Sequence, residues 1–293
     1  MTTRQTYDFD VEDVDYLHHG DTAFMARLFI PRGPGPFPAE VEVHGGAWGQ
    51  FDRLRGKSVH EALARAGVAV VAIDFRQAEE GRYPGSVADV NYAIRWTKAH
   101  ATRLRSRADM VGISGNSSGA HLAMLNAMRP DDPRYTAIPL PAGAPAVDAS
   151  VRGVVMLGPV INPLGRYRHV KHLATQANAP EWAHRLIGFH DRYWPGEAEM
   201  AEGNPMLMLE RGEAVRTPPT MWIQAATDPV HNYVDREHVP AQPECERFAQ
   251  NYRRAQGHID VEIFEAPPMF TTVHPTLPAS VEGLERLVGF VRR

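Results

Sequence analysis

The chain has 293 residues, of which 43% are hydrophobic and 23% charged, and its formal net charge at pH 7 is -4. A chain of this length fits one large α/β domain, and its composition is ordinary for a globular protein. The lack of a dense Lys/Arg stripe argues against nucleic acid as a partner. The single cysteine, Cys245, excludes an intramolecular disulfide and a cysteine-based zinc site, and it fits a reducing compartment.

Eight short apolar runs predict β-strands. Most of them are continuously apolar rather than alternating, as in central strands that are covered on both faces. The Pro- and Gly-rich segment 31–36 after the second run predicts a turn. The predicted strands are residues 7–16, 23–30, 39–44, 68–73, 110–114, 153–157, 221–225 and 259–264.

Helical patterns fill the gaps between these strands. The predicted helices are residues 57–66, 86–99, 117–128, 244–255 and 281–291. Strands that alternate with helices predict an α/β fold with a mostly parallel, eight-stranded sheet and helices on both faces.

One stretch interrupts this alternation, because more than fifty residues separate the sixth and seventh predicted strands. Such a long gap inside a compact domain predicts a functional insertion with its own helices. We therefore expect residues 1–293 to form a single domain with a lid or cap at residues 160–215. The alternative is a helical pair that only covers the surface.

The strongest chemical signal is the sequence Gly-Asn-Ser-Ser-Gly at residues 115–119, between a predicted strand and a predicted helix. A serine between two glycines in this setting is typical of a sharp turn that exposes a nucleophile. Ser117 is therefore the candidate nucleophile. Ser118 and Ser114 are alternatives by chemistry, but neither lies midway between the glycines.

A second signal, His-Gly-Gly-Ala-Trp-Gly at residues 44–49, follows the third predicted strand. Acyl transfer passes through an oxyanion that needs preorganised N–H donors, and glycine-rich turns can supply them. We expect the backbone N–H groups of Gly46, Ala47 and Ser118 to form this oxyanion hole, with Gly45 as an alternative. His44 is expected to hydrogen-bond nearby backbone.

These two motifs together resemble the hormone-sensitive-lipase-like branch of the α/β hydrolases, which includes bacterial esterases. Three further stretches support the resemblance: Asp-Phe-Arg at 74–76, Tyr-Pro-Gly at 83–85 running into Asp89, and His-Leu-Ala at 121–123. The similarity extends from about residue 20 to the C-terminus and is weakest in the insertion. It implies the α/β-hydrolase fold, a serine esterase activity and scaffold roles for the three stretches.

The chain departs from this pattern at Ala47, where many members have a third glycine, and Trp48 follows it. His-Gly-Gly-x-Trp also resembles the arylformamidases (kynurenine formamidases) of the same fold. Amide hydrolysis is therefore the alternative activity.

In this fold the acid and then the base follow the serine, each after a later strand. Asp228 lies just past the seventh predicted strand and is the expected acid, with Asp235 as the rival. A carboxylate that only caps the Asp-Pro turn is the alternative for Asp228.

Fourteen histidines compete for the role of base. His274 follows the eighth predicted strand and is expected to contact both Ser117 and Asp228. His258 precedes that strand, at the wrong end of the sheet, and His231 and His238 are weaker rivals.

These residues predict a serine carboxylesterase for short-acyl or aromatic esters, with a small-molecule ester as substrate. Trp48 and Phe51 are expected to line the substrate pocket. A triad mechanism requires no cofactor, and the sequence offers no clustered metal ligands. A non-catalytic ligand-binding protein, as among gibberellin-receptor relatives, is the alternative from another class, although such proteins typically lack a triad member.

The first residues lack the apolar core of a signal peptide, and the longest apolar run is too short to span a bilayer. We therefore expect a cytoplasmic protein without a membrane partner. The sequence does not specify the oligomeric state, for which a homodimer is one alternative.

Overall fold

The computed structural model describes residues 5–293 and contains one eight-stranded sheet. All eight predicted strands are confirmed, with ends that differ by a few residues. The strands are β1 (Phe9–His19), β2 (Thr22–Pro31), β3 (Ala39–Val43), β4 (Ala69–Ile73), β5 (Val111–Asn116), β6 (Val154–Leu157), β7 (Thr220–Ala225) and β8 (Ile259–Phe264).

The strand order across the sheet is β1-β2-β4-β3-β5-β6-β7-β8. β1 and β2 form an antiparallel hairpin, and β2 pairs with β4 antiparallel. From β4 to β8 every neighbouring pair is parallel. The carboxyl ends of six strands therefore lie along one edge, which is where open α/β sheets place their sites.

Helices cover both faces of the sheet, and the five predicted helices are present. The helices are α1 (Lys57–Arg65), α2 (Gly85–Ala99), α3 (Ser118–Met128), α4 (Pro163–Ala174), α5 (Glu181–Tyr193), α6 (Glu197–Glu202), α7 (Pro205–Glu210), α8 (Glu244–Arg254), α9 (Phe270–Val273) and α10 (Pro278–Val291). Four of them, α4 to α7, fall in the expected insertion.

Alternate residues of the central strands face opposite sides of the sheet and enter two separate cores. In β4, Val71 and Ile73 pack in one core with residues of α2 and α3, whereas Val70 packs in the other with residues of α1 and α10. This two-sided burial explains why the strands lack polar alternation in the sequence.

Within residues 5–293, no helix is long and apolar enough to cross a membrane. The expectation about the N-terminal segment rests partly on residues 1–4, which lie outside the described part of the chain.

Candidate active site

Ser117 lies in the turn between β5 and α3, with φ 53° and ψ −117°. Positive φ is rare for a non-glycine residue and marks a strained, over-determined turn. The two flanking glycines allow it: a Cβ on Gly119 would lie 2.1 Å from the Val43 carbonyl oxygen, and one on Gly115 would lie 2.5 Å from the Gly119 carbonyl carbon. Helix and strand thus approach too closely for any side chain at these positions.

The Ser117 hydroxyl belongs to a hydrogen-bonded series of three side chains. Ser117 Oγ lies 2.9 Å from Nε2 of His231, and Nδ1 of His231 lies 2.7 Å from Oδ2 of Asp228. With the ring proton on Nδ1 donated to the carboxylate, Nε2 is free to accept the serine proton. The arrangement has the geometry that a serine nucleophile, a general base and an orienting acid require.

Asp228 follows β7, and its carboxylate also organises the turn that carries His231. Its Oδ1 accepts hydrogen bonds from the backbone N–H groups of Val230 (2.9 Å) and His231 (3.3 Å). Burial alone would raise the pKa of the Asp228 carboxyl, but the hydrogen bond from His231, the charge of His231 and the backbone donors outweigh it and lower that pKa. Asp228 is therefore ionised at neutral pH.

The expectation that His274 contacts Ser117 and Asp228 is wrong, because His231 occupies that place. The His274 side chain is exposed and forms no hydrogen bond within residues 5–293. Its hydrogen bonds within residues 5–293 all involve its backbone groups, with Phe270, Leu277 and Ser280 as partners. The physical reason lies in the Asp-Pro turn, which folds His231 back onto the aspartate three residues earlier.

The rival residues have other environments. Asp235 accepts hydrogen bonds from Arg247 and Asn162 and helps to hold the insertion in place. His258 is exposed and pairs with Asp260 before β8. Ser118 Oγ accepts a hydrogen bond from the backbone N–H of Trp48, at 3.1 Å.

The turn after β3 lies beside Ser117. Gly46 and Ala47 both have positive φ, 108° and 51°, and Gly45, Gly46 and Ala47 line the cavity that contains Ser117. The backbone N–H groups of Gly46, Ala47 and Ser118 donate to no other group in the described chain. These donors are available to a ligand.

His44 forms the backbone contact expected of it. Its Nδ1 lies 2.8 Å from the Gly45 carbonyl oxygen, and its ring stacks on Phe75 with the centroids 4.5 Å apart. Burial lowers the pKa of His44, so this imidazole is neutral and supports the turn.

Trp48 does not line the cavity, contrary to expectation. Only 1% of its surface is exposed, and it stacks on Tyr193 with ring centroids 5.1 Å apart and planes at 6°. Trp194 packs edge-on against Trp48, and the indole N–H of Trp48 donates to Nδ1 of His121. The positive φ of Trp48, 59°, turns its side chain inward to this cluster. The aromatic residues of the insertion thus form an anchor against the domain.

Phe51 does line the cavity, and 47% of its surface is exposed. The Arg55 guanidinium lies over its ring, 4.5 Å from the centroid. A partly exposed ring at the rim is available to contact an apolar part of a ligand.

The stretches 74–76 and 83–89 support the loops around the site. Asp89 is fully buried in α2 and accepts hydrogen bonds from Arg76 and His19. Asp74 pairs with Arg53 in the loop that follows the Gly-Gly turn. These ion pairs tie the loops after β3 and β4 to the sheet.

The cavity at Ser117 has a volume of about 250 Å³. The insertion forms one of its walls, and the segments after β7 and β8 form another. From the insertion come Arg166, Arg185, Leu186 and Phe189, and from the later segments Asp228, Val230, His231, Pro268 and Met269. In the described part of the chain, no group of three His, Cys, Asp or Glu side chains could hold a metal ion.

Several relatives share part of this sequence. The probable carboxylic ester hydrolase LipM of Mycobacterium tuberculosis is 34% identical over 133 residues, which are 41% of this chain and 31% of LipM. Esterase LipC of the same organism is 36% identical over 121 residues, 41% of this chain and 29% of LipC. The match thus spans only about a third of the length of these relatives.

Solved structures of similar shape cover nearly the whole chain. The carboxylesterase EstE1, cloned from a metagenomic library, has a TM-score of 0.74 at 20% identity and covers 99% of this chain and 91% of its own. The esterase of Pyrobaculum calidifontis has a TM-score of 0.72 at 21% identity, with coverages of 97% and 85%. At this identity the likeness establishes the fold.

The BD-FAE family model matches residues 28–235, well over half of the chain. This segment contains the Gly-Gly turn, the serine turn, the insertion and both Asp228 and His231. The resemblance to α/β-hydrolase esterases that the motifs indicated is thereby confirmed. This protein belongs to the BD-FAE family and has the α/β-hydrolase fold.

Proposed function

We propose that the protein is a serine carboxylesterase that hydrolyses short-acyl or aromatic carboxylic esters. The observation that carries the proposal is the series Ser117, His231 and Asp228, with contacts of 2.9 and 2.7 Å, at the floor of an open cavity. The names of the relatives, which are ester hydrolases, support the same class of reaction.

In the first half-reaction, Ser117 Oγ forms a bond to the acyl carbon while its proton passes to Nε2 of His231. The carbonyl oxygen becomes an oxyanion, which accepts hydrogen bonds from the N–H groups of Gly46, Ala47 and Ser118. The carbon–oxygen bond to the alcohol then breaks, and His231 returns the proton to the leaving alcohol.

In the second half-reaction, water attacks the acyl-enzyme as His231 accepts one of its protons. The bond between Ser117 Oγ and the acyl carbon breaks, and the proton returns to the serine. Asp228 holds the Nδ1 tautomer and stabilises the imidazolium in both steps. Each step uses only groups of this chain, the ester and one water.

The insertion, residues 160–215, is proposed as a cap over the acyl or alcohol group. Leu186 and Phe189 of α5 supply apolar cavity wall opposite the serine turn. The cap is held by the Trp48–Tyr193 stack and by the ion pair of Glu210 in α7 with Arg247 of α8, which favours a pocket of stable shape. A volume of about 250 Å³ suits a compact ester, since pockets for larger ligands span roughly 300–1,000 Å³.

The test is hydrolysis of 4-nitrophenyl butyrate by the wild type and by Ser117→Ala. We expect turnover by the wild type and a loss of about a millionfold in kcat in the variant, with the fold retained by circular dichroism. Substantial turnover by purified Ser117→Ala would contradict the proposal. Rapid hydrolysis of N-formylkynurenine with little ester turnover would assign the protein to amide hydrolysis instead.

A further inference from the structure

Arg166 of α4 is a buried cation at the wall of the Ser117 cavity. Only 1% of its surface is exposed, and its Nε and Nη2 atoms have no hydrogen-bond partner within residues 5–293. It forms no ion pair in this part of the chain. A buried charge without a partner is costly, so such a group calls for an explanation.

The other arginine of this helix is paired. Arg168, two residues further along α4, is half-exposed and pairs with both Glu197 and Glu237. The groups that face Arg166 do not form such an ion pair. Its guanidinium carbon lies 5.2 Å from the centroid of the Trp48 ring, and the carboxylate that acts on its charge is Asp228. Asp228 is already engaged by His231.

Arg166 keeps its charge in this setting. Burial lowers the pKa of Arg166 to about 10, while the nearby Tyr233 and Asp228 act in the opposite direction. At neutral pH the guanidinium is therefore still protonated. Its planar fork of N–H donors matches a carboxylate in a bidentate geometry.

Two more arginines line the same cavity. Arg55 follows the Gly-Gly turn, and its Nε atom is buried without a partner. Arg185 of α5 also lines the cavity, is exposed, and forms no ion pair within the described residues. Among the residues that line the cavity, the only carboxylate is Asp228, so the cavity carries a net positive charge.

We infer that the cavity accepts an ester that carries a carboxylate, which pairs with Arg166 while the ester carbonyl lies at Ser117. Arg55 and Arg185 attract the anion at the rim. The inference rests on the proposed esterase activity and specifies its substrate class. The alcohol side and the acyl side of the ester are both possible carriers of the carboxylate, and separate substrates distinguish them.

The test compares matched pairs of charged and neutral esters. On the alcohol side, 4-acetoxybenzoate is compared with 4-acetoxybenzamide; on the acyl side, the mono-4-nitrophenyl ester of glutaric acid is compared with the corresponding glutaramate ester. For at least one pair, we expect the wild type to have a kcat/KM about 10- to 100-fold higher for the carboxylate, as a charge-assisted hydrogen bond would give.

The variants assign this preference to Arg166. Arg166→Gln should reduce the ratio of kcat/KM between carboxylate and amide to about one, and Arg166→Lys should retain part of it, since a point charge replaces the fork. Arg168→Gln, on the same helix but outside the cavity, is the matched control and should keep the wild-type ratio.

A measurement on the wild type alone covers the case in which Arg166→Gln does not fold. Benzoate should inhibit hydrolysis of 4-nitrophenyl butyrate competitively, with a Ki about tenfold or more below that of benzamide. In a separate variant of the cavity, Arg55→Gln, benzoate inhibition should be weaker and benzamide inhibition unchanged.

Ratios of one or less for both ester pairs in the wild type would overturn the inference, as would equal inhibition by benzoate and benzamide. An unchanged ratio in folded Arg166→Gln would also overturn it. Each of these results, obtained with an enzyme that hydrolyses 4-nitrophenyl butyrate, leaves the proposed esterase intact. Absence of all ester turnover would instead remove the proposed function itself.

Discussion

Asp228 and His231 lie on one short turn, although an acid and a base could be expected from separate strand ends. Because Oδ1 of Asp228 accepts two backbone N–H groups of the turn, Oδ2 is left facing the imidazole that the turn presents. The same carboxylate thus has two roles: it caps the Asp-Pro turn, and it accepts a hydrogen bond from His231. Hydrogen bonds within the turn preorganise this pair, so no contact with a distant part of the chain is needed to bring the two side chains together.

At this scale we predict the effects of removing each histidine. His231→Ala should lose about a millionfold in kcat for 4-nitrophenyl butyrate, because base and nucleophile act as one unit. His274→Ala, which removes an exposed side chain, should stay within a few fold of the wild type. Steady-state kinetics on folded proteins measures both values. An inactive His274→Ala beside an active His231→Ala would refute the site described above.

The insertion is attached to the rest of the domain by ion pairs as well as by aromatic packing. Glu202 at the end of α6 accepts hydrogen bonds from Arg129, Arg134 and Tyr83, which lie at or near the ends of α2 and α3. Burial opposes ionisation of Glu202, but the bonds from Arg134, Tyr83 and Arg129 prevail and lower its pKa from 4.5 to about 2. This network fixes α6 beside the helix that follows Ser117.

The lowered pKa of Glu202 predicts a pH-dependent contribution to stability. A carboxyl whose pKa is lower in the folded state stabilises it above the unfolded value of 4.5, and this contribution is lost as the pH falls from 4.5 toward 2. The wild type should therefore exceed Glu202→Gln in free energy of unfolding at pH 7, and the difference should shrink below pH 4.5.

Urea denaturation of both proteins between pH 7 and pH 3 measures this difference. Glu80→Gln, which removes an exposed carboxylate of the same charge outside the network, is the control and should show little difference at any pH. A difference that stayed constant down to pH 3 would mean that Glu202 does not stabilise the fold through its charge.

At the scale of the whole molecule, the sheet and the insertion enclose the cavity together. The serine turn and the Gly-Gly turn come from the sheet edge, whereas Leu186, Phe189 and Arg166 come from the insertion. Under the proposed function, the segment that limits the size of the ester contributes none of the three side chains in the Ser117–His231–Asp228 series. Reacting side chains and the segments that select the substrate often come from different parts of the chain where loops extend from a rigid scaffold.

This enclosure predicts a preference for short acyl chains. The ratio of kcat/KM for 4-nitrophenyl butyrate to that for the palmitate, in detergent-free buffer, should be well above one, because each poorly fitting methylene costs roughly 1–3 kcal/mol. No activation should occur at an oil–water interface. Leu186→Ala, which enlarges the wall at α5, should shift the preference toward longer chains. A ratio of one or less for the wild type would identify a lipase instead.

Local sequence patterns were enough to predict the secondary-structure elements, Ser117 and Asp228. Continuous apolar runs are a local property, so all eight strands were predictable, and so was the turn at Ser117, because its two glycines are needed where strand and helix nearly touch. Asp228 was predictable for a similar reason: it comes just after a strand in the chain, and the carboxyl ends of parallel strands share one edge of the sheet.

The choice between the histidines, and the environments of Trp48 and Arg166, depend on tertiary contacts. Which imidazole reaches Ser117 depends on how a loop folds back through space, and neither strand order nor spacing specifies that path. The Asp-Pro-Val-His sequence predicts a turn that brings the histidine near the aspartate, but such turns are common. It indicates a catalytic pair only when the histidine is known to contact a serine 114 positions away. Trp48 and Arg166 likewise acquire their environments from the insertion, because burial is a property of packed elements and not of the residue alone.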